Sequence, residues 1–512
     1  MSYPFRVLFC VLAGITMFTI DSTVVNVALA KLEAVYAVDV STVQWVVTGY
    51  ALASGIITPM ADFFLSRWSM KRVWLTALAG FTAASMLCGV SSVFAILIAG
   101  RVLQGLSGGL LIPIGISSIF KVFPPERRGL ALGFLAIPIV AGPALGPIMG
   151  GYIVSFLDWP LIFFINLPIG ILAMALAALW LREEREGALL HLDLPGALLA
   201  AAGFTLILYA FTRVPDAGWA SLTVEGLLML GVLTLAVLVW HELRAREPLL
   251  EVRLFAIPQF VIGNVIGWTS TIALFGAEFL LPLYLQNLRG LPAFNAGLLL
   301  LPQGISTAVI GPIAGRLTDR LGVRPVTIFG FVLLAYNTWS LSHLTLYTPY
   351  LTLQAYLVLR GAALGFTLQS ANLVALNAVP ARFVTNASSL FTATRNVFQS
   401  LGIALLGSVQ QTATITHTDE LRRNVIPGSP GALMIQQIAS EMLRNTPGLS
   451  QIAAQAQAGM VVLGQIEQQA SVLAYGDAYR FTFYAALLAI GLSFFLPGRI
   501  AKPEGAEAMV AA

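Results

Sequence analysis

Apolar and polar positions alternate along this chain in long blocks: apolar runs of about 18 residues or more, the length of a membrane-crossing helix, are separated by short polar punctuation. Six runs open the chain, roughly at 7–30, 44–65, 73–91, 94–120, 129–154 and 159–182. Two shorter ones follow at 195–212 and 222–241, and six more at 259–288, 293–316, 325–342, 350–378, 386–411 and 476–497. The pattern predicts an all-α polytopic membrane protein of fourteen helices. Residues 1–182 form one six-helix bundle, 183–258 a linker with two additional helices, and 259–512 a second six-helix bundle with a long outer loop at about 412–475. Two amphipathic-looking stretches of that loop, 432–444 and 449–472, are expected to be short helices resting on the outer surface; a gating or partner-docking hairpin is the alternative.

A repeat organises the runs. Gly311-Pro312-Ile313-Ala314-Gly315-Arg316-Leu317-Thr318-Asp319-Arg320-Leu321-Gly322-Val323-Arg324 after the tenth run echoes Pro59-Met60-Ala61-Asp62 and Ser66-Arg67-Trp68-Ser69-Met70-Lys71-Arg72 after the second. Arg101 and Arg360 form a second echo, each two runs further on. Two related halves place a binding site between them near the midplane.

Composition narrows the class. A 512-residue chain with 58% hydrophobic and 10% charged residues is not a string of soluble domains. Its net charge of +4 comes from scattered basic residues, so no nucleic-acid surface is expected. Lys and Arg concentrate in alternate loops (Arg67, Lys71, Arg72; Lys121, Arg127, Arg128; Arg185; Arg244, Arg246, Arg253; Arg320, Arg324; Arg382), against Lys31, Arg213 and Arg289 opposite. That bias predicts a plasma (inner) membrane protein with both termini cytoplasmic. The first run lacks a small-residue cleavage pattern and is expected to remain as an anchor. Cys10 and Cys88 fall in apolar runs, and no spacing suggests a disulfide framework, a metal site or a cofactor. Four dispersed histidines argue against a membrane enzyme, and the absence of a phosphate-binding Gly-x-x-x-x-Gly-Lys-Ser/Thr motif leaves an ion gradient as the energy source. A proton crossing about 180 mV gains ~4 kcal/mol, enough for roughly a thousandfold solute gradient.

The candidate chemistry starts from Asp21, the single acid of the first run. A carboxylate at mid-membrane costs about 2.5–3.5 kcal/mol on insertion scales, which marks it as functional unless paired for structure. At ~1.5 Å per residue, Asp21 lies roughly 20 Å from the inner end of its helix and Arg101 roughly 10 Å from the outer end of the fourth, so one layer holds both. A guanidinium neighbour and an apolar surrounding act oppositely on such an acid, which suits proton loading and release; a purely structural ion pair is the other reading. Glu278 is the second deep acid, a site for a cationic substrate or a proton, or a residue of the outer interface. Gly142, Gly146 and Gly150 share one helix face, and Pro143 and Pro147 favour a bend, which together predict a close contact between the halves that resists leak. Arg395 is read as closing the inner gate or snorkelling to the cytoplasmic surface. Asn26, Gln44, Tyr50, Gln104, Tyr284, Gln286 and Asn372 are the candidate cavity liners.

The chain resembles the fourteen-span drug:proton antiporter branch of the major facilitator superfamily, the EmrB/QacA type. Asp21, Thr23, Val25, Asn26, Ala28 and Leu29 match the family's first-span motif, and Arg101-Val102-Leu103-Gln104-Gly105 its Arg-x-x-Gln-Gly. The fifth run, Gly142 to Gly151, resembles the exporter pattern, and Gly315, Asp319, Arg320, Gly322 and Arg324 match the loop signature. The first-half copy departs from it, with Ser66 in place of the acid and Ser69 in place of the glycine, and Pro160 stands where the family commonly has Arg before Phe163-Phe164-Ile165-Asn166-Leu167-Pro168. The resemblance implies proton-coupled efflux of amphipathic, often cationic, small organic compounds, with Asp21, Arg101 and Glu278 in proton coupling. It implies gating by the fifth run together with Arg67, Asp319, Arg320 and Arg395. A dedicated exporter of one lipid, amino acid or antibiotic is the rival. A monomer in the lipid bilayer is expected, with a periplasmic adaptor as a conceivable partner.

Overall fold

The computed structural model describes residues 2–38, 40–43, 45–183, 193–245, 248–426, 428–445 and 450–496. The long helices are α1 (Tyr3–Val24), α2 (Trp45–Ile57, carried on through Thr58–Met60 to Ala61–Arg67), α3 (Met70–Gly89), α4 (Phe94–Gly108, resuming as Leu111–Val122), α5 (Arg128–Phe156) and α6 (Asn166–Trp180). The inserted pair is α7 (Leu194–Ala217) and α8 (Leu222–Glu242). The second half contains α9 (Pro258–Leu283), α10 (Ala293–Leu321), α11 (Val323–Leu341), α12 (Tyr350–Asn377), α13 (Val384–Arg423), α14 (Pro430–Asn445) and α15 (Gln451–Ser493). Ten of these, α1 to α8 with α10 and α12, are long and apolar enough to cross a membrane by length and hydropathy alone. α9, α11, α13 and α15 fall on the other four expected spans.

Local chemistry sets the ends. Ser69 accepts a bond from the Arg72 amide at the start of α3 (3.3 Å), Asp193 one from Gly196 at the start of α7 (3.0 Å), and Ser450 one from Ala453 at the start of α15 (3.2 Å). Each satisfies a first-turn donor that the helix leaves open. Gly322, at φ 91°, turns the chain between α10 and α11 in a conformation that favours glycine.

The inserted pair flanks the seam between the halves. Leu208 of α7 packs against the bare Gly55 of α2, Trp45 stacks on Tyr209 with centroids 5.9 Å apart, and Ile207, Phe211 and Val214 form an apolar cluster with Ala404 of α13. α8 covers α7 and leaves Met229, Leu230, Val232 and Leu233 exposed, the composition of a lipid-facing surface.

The expected outer loop is largely helical extension. α13 runs for 40 residues and α15 for 43, because no proline interrupts 384–426 or 451–493 and polar residues that end a hydrophobic run do not end a helix. The two helices stand side by side, joined by Arg422 to Glu467 (2.9 Å) and His417 to Asp477 (2.7 Å). α14 packs Ile435, Ile438 and Met442 on Ala454 and Ala458 of α15. The second stretch is therefore the first part of the long helix α15, and the first stretch lies along it.

Candidate functional site

Asp21 sits on α1 with no exposed surface, as do Arg101 and Gln104 on α4 and Asn166 on α6. Arg101 Nη1 donates to Asp21 Oδ2 (2.7 Å) and to Gln104 Oε1 (2.9 Å), and its Nε to the Val46 carbonyl of α2 (2.9 Å). Gln104 Nε2 and Asn166 Nδ2 both donate to Asp21 Oδ1, at 2.9 and 2.6 Å. Asn166 Nδ2 also reaches Ser85 Oγ (2.9 Å) on α3. The Tyr50 ring of α2 lies 4.2 Å from the guanidinium carbon, a cation–π contact. Five helices of one bundle thus converge on one carboxylate. All three donors point at its oxygens, which accept. Arg101 Nη2 and Asn166 Oδ1 are buried without hydrogen-bond partners among the described residues.

The expected pairing of Asp21 with Arg101 is present. The network lies inside the first bundle, so Gln104 and Tyr50, read as cavity liners, belong to the charged cluster instead. Tyr284 is likewise no liner: it is fully buried in an apolar cluster with Tyr475 and donates to the Thr345 carbonyl (2.6 Å). Asn26 is exposed, Gln286 half-buried and Asn372 buried. Gln44 lies outside the described residues, as do the side chains of Pro143 and Glu278. Arg360, the echo of Arg101, is 1% exposed on α12. Asn166 escaped the residue-by-residue reading because an uncharged amide in an apolar run carries little signal. Asn166→Leu is expected to destabilise the protein by about 1–3 kcal/mol through the lost charge-directed bond; an unshifted thermal unfolding midpoint would contradict this.

The glycine face is corrected in its partner. Cβ atoms at Gly142, Gly146 and Gly150 would meet α1: Thr19 Cβ at 2.7 Å, the Val24 amide nitrogen at 2.9 Å and the Val24 carbonyl oxygen at 2.5 Å, respectively. That face, with Pro147 beside it, clamps α1 within the first bundle. A period of four identifies a face, not the helix it meets. The contact between halves uses other positions of α5: Gly129 against Gly315, Gly133 against Gly311, and, towards the other end, Gly151 against Phe294.

One end of the seam is closed by polar bonds. Asp319 on α10 accepts from the Gly129 and Leu130 amides (2.9 and 3.0 Å), capping the first turn of α5, where helix geometry leaves donors open and favours negative charge. Arg128 bonds Asn377. Across the seam, Asn386 Nδ2 of α13 donates to Asp62 Oδ2 (2.9 Å), Ser388 Oγ to the Pro113 carbonyl (3.0 Å), and Ser117 and Thr385 hydroxyls meet at 2.7 Å. Asp62, one turn before Ser66, therefore takes the bridging role that the substituted loop signature left vacant. Asn386 also accepts from the Glu251 amide (2.8 Å), and burial pushes the Glu251 carboxyl above its ordinary value, with Arg253 partly offsetting it. Arg67 and Arg320 are exposed beside these turns, and Arg67 lies over the Phe63 ring. Arg395 does not snorkel; it is 7% exposed, buried on α13. These side-chain hydrogen bonds between the two halves lie at the end of the basic turns. Asp319→Ala is expected to weaken closure by about 1–2 kcal/mol, a five- to thirtyfold shift in population. Alkylation of a cysteine introduced at Ser117 by an impermeant maleimide measures it, and an unchanged rate would contradict it.

The fold has solved counterparts. The proton:xylose symporter XylE bound to 6-bromo-6-deoxy-D-glucose superposes with a TM-score of 0.60 at 16% identity, covering 99% of both chains. The human organic anion transporter MFSD10 gives 0.60 at 12% identity, covering 95% of this chain and 100% of that one. In sequence, the chain is 29% identical over 493 residues to the MFS-type transporter YhcA of Bacillus subtilis (strain 168), covering 96% and 93% of the two chains. It is 30% identical over 416 residues to the multidrug resistance protein B homolog of Mycobacterium tuberculosis (strain H37Rv), covering 80% and 76%. It is also 30% identical over 385 residues to the lincomycin resistance protein LmrB of Listeria monocytogenes (strain EGD-e), covering 75% and 82%. Residues 11–403 match the Major Facilitator Superfamily, and with that match over most of its length the chain belongs to this family of multi-pass membrane transporters.

Proposed function

We propose that this transporter exports amphipathic, often cationic, small organic compounds across the plasma membrane by proton antiport, with both termini cytoplasmic. The observation that carries the reading is the buried Asp21, held at 2.7 Å by Arg101: a carboxylate is retained in such a place for protonation or for structure, and the orphaned Arg101 Nη2 favours a group that rearranges. Two bundles closed at the basic-loop end support alternating access by rocking about α5 and α10. In the orientation given by the basic turns, the closed end is cytoplasmic. Relatives bearing multidrug and lincomycin resistance names support export. Glu278 is the accessory acid in this reading, and the cargo that of a broad exporter working as a monomer. The test is a compound screen in proteoliposomes carrying an imposed pH gradient. Dissipation of the gradient by amphipathic compounds, dependent on the protein, is expected; no dissipation by any of them would overturn the antiport reading.

A further inference from the structure

Ser388, Thr392 and Arg395 lie along one face of α13, at intervals of four and three residues, and Ser388 faces the first half through its bond to the Pro113 carbonyl. Seven residues on from Ser388, Arg395 lies roughly 10 Å beyond the closed end on the same side of the helix. Three acids of the seam and the first bundle are engaged elsewhere: Asp62 with Asn386, Asp319 with the first turn of α5, and, deeper, Asp21 with Arg101. Among the described residues no carboxylate pairs with Arg395, and its Nε has no hydrogen-bond partner although the residue is only 7% exposed. Thr392 Oγ1 and Ser389 Oγ, at 1% and 0% exposure, are also buried without partners. A guanidinium cannot shed its proton to escape burial, and a buried unpaired cation is strongly unfavourable, so a set of open donors around one calls for an anion.

We infer that Arg395 and Thr392 form a binding site for the carboxylate of an amphipathic substrate, on the seam just beyond the closed end. The inference rests on the export reading and departs from its cationic cargo: compounds with an apolar body and a carboxylate, zwitterions included, are bound in preference to their neutral esters. A planar guanidinium offers two parallel donors to a carboxylate, which a lysine cannot reproduce. Arg395 also stands where rocking of α13 would open or close the surroundings of the bound group, which gives the residue expected to gate the inner end a second task.

The test uses the full chain, purified in detergent, with three fluorescent probes of one chain length: a dansylated fatty acid, its methyl ester and its trimethylammonium analogue. The parent is expected to bind the acid at least about tenfold more tightly than the ester, the scale of a charge-assisted hydrogen bond. Arg395→Gln is expected to bring the acid-to-ester ratio near one, and Arg395→Lys to restore it in part. Thr392→Val, expected to lower the ratio severalfold, decides the matter if Arg395→Gln does not fold. A parent that binds the acid no better than the ester overturns the inference, as does a variant that weakens acid and ester alike. Binding of the ester and the cation but not the acid leaves the export reading standing and removes this one. Binding of none of the three overturns both.

Discussion

Asp21→Asn is expected to abolish substrate-driven proton exchange. The amide keeps the shape of the carboxylate but neither carries charge nor takes up a proton, and its own NH₂ would confront the donors of Arg101, Gln104 or Asn166 now aimed at Asp21. Arg101, with no exposed surface, would be left without its anion. Breaking a buried pair by removing one partner costs about 3–5 kcal/mol, so the variant should also unfold at lower temperature. The paired change Asp21→Asn with Arg101→Met separates the two effects: removing both charges should recover much of the stability and none of the coupling. Proteoliposomes carrying the single variant should show no change in internal pH on addition of a compound that drives one in the parent. Equal responses would return the pair to a structural role.

The second large effect is expected at Gly315. A Cβ there would lie 2.6 Å from the Gly129 carbonyl carbon and 2.8 Å from Leu130 Cα, both backbone atoms that no side-chain rotation can move. Gly315→Val should therefore hold α10 and α5 apart at the closed end, costing about 1–3 kcal/mol as overpacking and stopping the cycle in a form open at that end. Transport should fall at least about tenfold, the rate equivalent of 1.4 kcal/mol, while an introduced cysteine at Ser117 becomes rapidly alkylated. Gly464→Ala is the control: nothing lies within 4 Å of that position on α15, and replacing a helical glycine by alanine should add about 0.5–1 kcal/mol. If Gly315→Val transports as the parent does, the seam at Gly129 and Gly315 does not open during turnover.

The sequence carried the fold through blocks of apolar residues, and the Asp21–Arg101 pair through two charges whose helical depths matched. The repeat singled out Asp319, which accepts from the Gly129 and Leu130 amides across the seam. Other features depended on what helices meet, which a one-dimensional pattern does not encode. The Gly142, Gly146 and Gly150 face was legible, but its partner, α1, was not. Asp62 was visible as an acid ahead of its usual place, yet only the position of α13 shows that Asn386 comes within 2.9 Å of it. Asn166 joins the site because α6 returns past Ser85 and Asp21, a tertiary fact without a local signature. At 412–475, composition marked the end of an apolar run and was silent on the end of the helices.

Those uninterrupted helices make α13 and α15 levers. At ~1.5 Å per residue, the 43 residues of α15 extend about 65 Å from a base at the closed end. A rotation of the second bundle by about 10° would carry the far end of so stiff a rod some 10 Å sideways, about two turns of helix in length. A small hinge movement at the seam would thereby be written large at the tip, where a fluorophore on residue 451 would register it without touching the site.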